Sequence, residues 1–124
     1  MLICTRSVGD TAIVDLHGRL GVECGATLRE AVRELLLAGR GDIVLNLLAV
    51  TGVDAAGLGE LASAFRLVCA DRGELRLVVR SATIRELLLR TNLLGPLPTF
   101  STEGEAISSF RETALSATAS AMEL

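Results

Sequence analysis

Apolar and polar positions alternate with two different periods along the chain. Leu2–Arg6 and Ala12–His17 are short β-like runs around Gly9-Asp10, a turn pair, which predicts a hairpin. From Thr27 the spacing lengthens: Leu28, Ala31, Val32, Leu35 and Leu36 recur at helical intervals, with Arg29, Glu30, Arg33 and Glu34 between them. Thr27 and Glu30 stand in capping-box relation, and Gly39 is placed to close the helix. Ile43–Leu48 is a nearly unbroken apolar run, as expected of a strand buried on both faces.

A second helix is predicted from about Ala55, with Leu58, Leu61, Ala62, Phe65, Val68 and Cys69 facing inward and Gly73 ending it. Leu75–Val79 predicts another buried strand, and Ala82–Thr91 a third helix with Thr83 and Glu86 in capping-box spacing and Ile84, Leu87 and Leu88 inward. Gly95-Pro96-Leu97-Pro98 breaks the pattern before a short run at Thr99-Phe100. Ser101 and Thr102 then introduce a last helix carrying Ala106, Ile107 and Phe110. Strands alternating with helices of this length imply parallel crossovers, so the expected fold is a single α/β domain with a mixed, mostly parallel sheet of about five strands and about four helices. Residues 1–111 form the expected domain and 112–124 an Ala/Ser-rich tail or frayed helix extension.

Composition narrows the function classes. At 124 residues the chain fits one domain, and half of it is hydrophobic, with a mean hydropathy of +0.50. Aromatics are only 2%, all Phe, so the core is aliphatic and the stacking platforms of single-strand readers are missing. A net charge of −3, with all twelve cationic residues Arg and spread from Arg6 to Arg111, gives no nucleic-acid footprint. No apolar stretch approaches ~18 residues, so no membrane span is expected. Cys4, Cys24 and Cys69 make no CxxC pair, and the apolar start is too short for a signal peptide. A reduced, cytoplasmic chain with buried structural cysteines is the expectation, a redox switch being the alternative.

Equipment for chemistry is thin. His17 is the only histidine, with no Cys/His spacing near it for a metal, so no metal, cofactor or enzymatic activity is expected. Gly57-Leu58-Gly59-Glu60-Leu61-Ala62 fits a dinucleotide fingerprint, but with the strand ending near Leu48 the required tight turn is missing. No acidic ribose ligand follows the next strand, which ends in Val79-Arg80. More informative is Val53-Asp54-Ala55-Ala56-Gly57-Leu58-Gly59, where Asp54 is placed as N-cap and Ala55 begins the helix at the positive end of its dipole. A capped helix with glycines for close packing accounts for the same residues.

With these segments in order, the chain resembles the STAS domains, and among them the bacterial anti-sigma factor antagonists. The resemblance spans about residues 1 to 111 and rests on Gly18-Arg19-Leu20 after the second strand, Ile43-Val44-Leu45-Asn46-Leu47, Val53–Gly59, Gly73-Glu74-Leu75-Arg76-Leu77 and Leu88-Leu89-Arg90-Thr91-Asn92-Leu93-Leu94. It implies a domain that binds an anti-sigma factor, usually a GHKL-type serine kinase, and thereby frees a sigma factor. In that family the kinase inactivates the antagonist by phosphorylating a serine directly after the Asp, a position that maps onto Ala55. Ala55 has no hydroxyl; Gly21 stands where an aspartate is common, and Asn46 where the central strand commonly carries Asp.

The resemblance therefore implies an antagonist not regulated by serine phosphorylation at the usual site, with Thr51 and Ser63 the nearest hydroxyls. The partner-binding surface is expected over Gly52, Asp54, Ala55, Ala56, Gly57, Gly59, Glu60 and Ser63. The alternatives are a non-phosphorylatable STAS scaffold in a sensory or transport-associated complex, and a small-ligand binder at the strand ends. A homodimer is compatible with either protein-binding reading.

Overall fold

The computed structural model describes residues 2–24, 26–90 and 98–110. Five strands form one sheet in chain order: β1 (Leu2–Val8), β2 (Thr11–Leu20), β3 (Asp42–Val53), β4 (Glu74–Val78) and β5 (Thr99–Phe100). β1 is antiparallel to β2, and the remaining neighbours are parallel, so the sheet is mixed and mostly parallel as the sequence predicts. Between the parallel strands lie α1 (Thr27–Leu37), α2 (Ala55–Ala70) and α3 (Ala82–Arg90), and a further helix, α4, follows β5 over residues 103–110. The expected Gly95–Leu97 break and the tail at 112–124 lie outside the described residues.

The layering follows from topology. Each crossover moves the chain one strand along the sheet in the same direction, and right-handed crossovers in one direction place their helices on one face. There Leu28 and Val32 of α1, Leu58, Leu61 and Val68 of α2, and Ile84 and Leu88 of α3 pack on Val14, Leu16, Ile43, Leu45, Leu47, Leu75 and Leu77 in one aliphatic core. The opposite face has a smaller core in which Ala106 and Phe110 of α4 cover Ile13, Val44 and Val78. Strand residues 43–45 are thus buried on both faces, but Leu48, beyond α4, is 42% exposed. Arg76 lies under that second core, its guanidinium 4.6 Å from the Phe110 ring centroid, donating to Ser109 Oγ at 3.0 Å and Glu74 Oε2 at 2.6 Å.

Several local expectations are corrected. Thr27 is not a cap: α1 is preceded by Ala26, with no side-chain cap bond. Ser81, rather than Thr83, caps α3, its Oγ accepting from Ile84 N at 3.3 Å. Thr102 caps α4 as expected, accepting from Glu105 N at 3.2 Å. At the end of α2 the left-handed position is Arg72 (φ 61°), one residue before Gly73. Cys69, assigned to the inner face, is exposed, as is Cys4; only Cys24 is buried. β2 and β3 both run further than the apolar runs suggest, so Gly18-Arg19-Leu20 lies within β2 and β3 reaches Val53.

Candidate functional site

Parallel pairing of β2 with β3 brings Leu20 beside Val53, so the segments leaving both strands emerge at the same end of the sheet. β3 stops one residue before α2, and that residue, Asp54, makes the turn. Its N–H donates to Leu20 O at 3.2 Å, its backbone is extended (φ −103°, ψ −176°), and its Oδ1 accepts from Gly57 N at 2.9 Å. The cap inferred from sequence is therefore formed. Main-chain N–H groups of Gly57 first, then Val22 and Ala56, together with the nearby Arg19 guanidinium, hold the Asp54 carboxyl below the usual carboxylate range.

Glycines fix how closely this turn is packed. A Cβ on Gly57 would fall on the main-chain carbonyl of Leu20, 2.7 Å from its carbon, so only glycine lets α2 start this close to β2. At Gly21 a Cβ would stand 2.9 Å from Asp54 Cγ. The Asp54 carboxylate thus fills the space that a side chain at position 21 would need. With Asp54 turned inward as it is here, a side chain at position 21 would have to displace its carboxylate.

The first turn of α2 itself presents only small, uncharged residues outward. Ala55 and Ala56 are exposed, Gly52 and Gly59 half-buried, and Gly57 lies beneath the surface. Glu60 is half-buried and tied to Arg29 Nε at 3.1 Å, and Ser63 Oγ accepts from Arg66 Nη2 at 3.3 Å. Three neighbours escaped the sequence reading: Arg19, Val22 (76% exposed) and Glu23, which with Gly21 and Asp54 line a recess of about 60 Å³. Parallel pairing of two strands separated by one helix was the available signal, since it places the loop after β2 beside the loop after β3. The recess has room for water, not for a nucleotide.

The longer β3 also corrects the argument against dinucleotide binding. The turn before Gly57 is tight; what occupies the helix start is Asp54, whose carboxylate takes the Gly57 N–H. Asn46 is not at this end at all. It sits in mid-β3 on the α4 side, donating to Asp15 Oδ1 at 2.8 Å and accepting from Leu48 N at 3.0 Å. Asp15 also takes Arg6 Nε at 2.5 Å, and Arg6 reaches Glu103 as well, which holds the Asp15 carboxyl low and the Arg6 guanidinium high. An amide at position 46 can donate to Asp15 where a carboxylate would repel it. His17 is exposed on β2, and among the described residues no group of three or more His, Cys, Asp or Glu could hold a metal. No described helix is long and apolar enough to cross a membrane.

A sheet laid down in chain order, three helices on one face and a capped helix start at the strand ends define a small class of α/β domains. The STAS domain family model matches residues 3–106, and the chain belongs to that family. Solved structures agree on the fold. The anti-sigma factor antagonist SpoIIAA in its unphosphorylated form is 24% identical, with a TM-score of 0.69, over 89% of this chain and 98% of that one. A Thermotoga maritima protein assigned as an anti-sigma factor antagonist is 24% identical with a TM-score of 0.79, covering 88% and 94% of the two chains. An anti-sigma factor antagonist from Mycobacterium paratuberculosis is 20% identical with a TM-score of 0.78, covering 89% and 93%. Among curated proteins none matches the chain significantly in sequence.

Proposed function

We propose that this STAS domain is an anti-sigma factor antagonist that docks its partner, an anti-sigma factor of the serine-kinase type, on the start of α2 without a phosphorylation switch at Ala55. The observation that carries the reading is the exposed Ala55-Ala56 step directly after the Asp54 cap. In the family the hydroxyl that receives phosphate follows that Asp; here a methyl group stands there. A phosphoserine would add about −1.5 to −2 charges beside Asp54 and Glu23, repelling a docked partner and blocking close approach. With alanine the surface stays apolar and in its binding form. Val22, Ala55 and Ala56 supply the contact, and Arg19 and Glu23 rim it. The domain itself is assigned to residues 1–111.

Affinity capture followed by calorimetry on the recovered anti-sigma factor tests this. Wild type binds and takes up no phosphate from the kinase and ATP, Ala55→Ser takes up phosphate at position 55, and Ala55→Asp binds at least about tenfold more weakly, ~1.4 kcal/mol. Phosphate on Thr51 or Ser63 of the wild type, or unchanged affinity in Ala55→Asp, overturns the reading. The missing hydroxyl equally suits a STAS scaffold, and recovery of a transporter or sensory subunit instead of a kinase selects that second reading.

A further inference from the structure

The sheet has two edges of different character. β5, at one edge, has only two residues, one of the usual ways in which a sheet avoids edge-to-edge pairing. β1, at the other edge, is seven residues long, exposed along its length except at half-buried Ile3, and has no pairing partner on its outer side among the described residues. It has no proline, no lysine and no bulge in its register with β2. Its one charge, Arg6, is folded back onto Asp15 and Glu103.

The hairpin sets which main-chain groups are free. A two-residue turn at Gly9-Asp10, with Gly9 at φ 60°, makes Val8 and Thr11 the closing hydrogen-bonded pair. Alternation from that pair sends the N–H and C=O groups of Ile3, Thr5 and Ser7 outward, away from β2. We propose that β1 is a self-association strand: a second copy of the chain pairs with it antiparallel about a two-fold axis at Thr5, joining the two sheets into one.

The register of β1 against itself carries this assignment. Leu2–Val8 is centred on Thr5, so full overlap sets Thr5 opposite Thr5, Ile3 opposite Ser7, Cys4 opposite Arg6 and Leu2 opposite Val8 of the second copy. Leu2 (61% exposed) and Val8 (40%) are the strand's large exposed apolar side chains, and this register covers each with the other, at both ends of the interface. A slip of two residues one way sets Leu2 against Arg6 and strands Val8. A slip the other way sets Arg6 against Arg6. The interface is isologous and therefore closes at two copies. It lies at the far side of β2 from α2, so both docking surfaces stay open.

Sedimentation of the full chain over a range of concentrations gives the first test, with a mass twice that of one chain expected. Thr5→Pro removes an outward N–H without touching the β1–β2 ladder, and Thr5→Lys sets like charges face to face on the axis; both are expected to sediment at half the wild-type mass with unchanged far-UV circular dichroism. In a Cys4→Ser, Cys69→Ser background, Thr5→Cys is expected to form a disulfide-linked dimer on mild oxidation, because residues facing across such a pair have Cα atoms about 5.5 Å apart. Ser7→Cys faces Ile3 and is expected to remain unlinked. A wild type that is monomeric at millimolar concentration, a dimer that survives both Thr5→Pro and Thr5→Lys, or equal linking through Ser7→Cys overturns the proposal.

Discussion

At the scale of single residues, the start of α2 is governed by what cannot be added. Gly57 is buried because the Leu20 carbonyl leaves no room for a Cβ, and the obstructing atom is backbone, which cannot swing aside. Gly57→Ala must push α2 off β2 or distort the Asp54 turn, and overpacking of this kind costs about 1–3 kcal/mol. Thermal unfolding should show the loss, whereas Gly59→Ala, with open space around its Cα, should match or exceed wild type. Position 21 shows a constraint of another kind, since there a side chain, the Asp54 carboxylate, fills the space. Asp54 is an anchor spent inward on main-chain donors, which leaves Ala55 as the first exposed side chain of α2.

At the scale of elements, periodicity locates β1 to β4 and the α-helices but not the short 3₁₀ turn at Val22–Cys24, and local chemistry locates the ends less well. The apolar stripes of α1, α2 and α3 are legible because burial on one face demands them. The ends of β2 and β3 are not, because Gly18 and Gly52 are poor strand formers held by parallel pairing between the two strands. Cap positions slipped because several hydroxyls compete near each helix start: Ser81 won over Thr83, and α1 uses none. Helical spacing assigns both Val68 and Cys69 to the inner face, yet in the last turn of α2 Val68 is buried in the core and Cys69 is exposed. The helix start followed the same rule: Asp54–Ala56 stand out in the sequence as a capped motif, while the nearness of Arg19, Val22 and Glu23 to it depends on tertiary pairing. The same helix end yields a prediction. Arg72 occupies the left-handed position at φ 61°, where a Cβ is crowded, so Arg72→Gly should stabilise the protein by about 0.5–1 kcal/mol in denaturant unfolding.

At the scale of the whole molecule, charge decides how stability responds to pH. Asp42 opens β3 near Glu74 and Asp10, and burial first, then those neighbours, push its carboxyl above the usual carboxylate range against the pull of Arg76. A group raised on folding stabilises fully below its unfolded value and loses that contribution as pH rises through its folded one. Asp15, held low chiefly by the Arg6 hydrogen bond, acts oppositely and loses its contribution as pH falls. Asp42→Asn should therefore raise stability at neutral pH, by less than about 1 kcal/mol given partial exposure, and make no difference well below the carboxylate range. Melting curves across that window check it.

The order of the strands has a consequence for synthesis. Because sheet order equals chain order, each strand emerging from the ribosome finds its template already made: the β1–β2 hairpin closes within microseconds, and β3, β4 and β5 add in turn to the latest edge. No strand waits for a later one to be inserted between it and its neighbour, so pairing advances along a single growing front. That front is retired last, by a β5 two residues long.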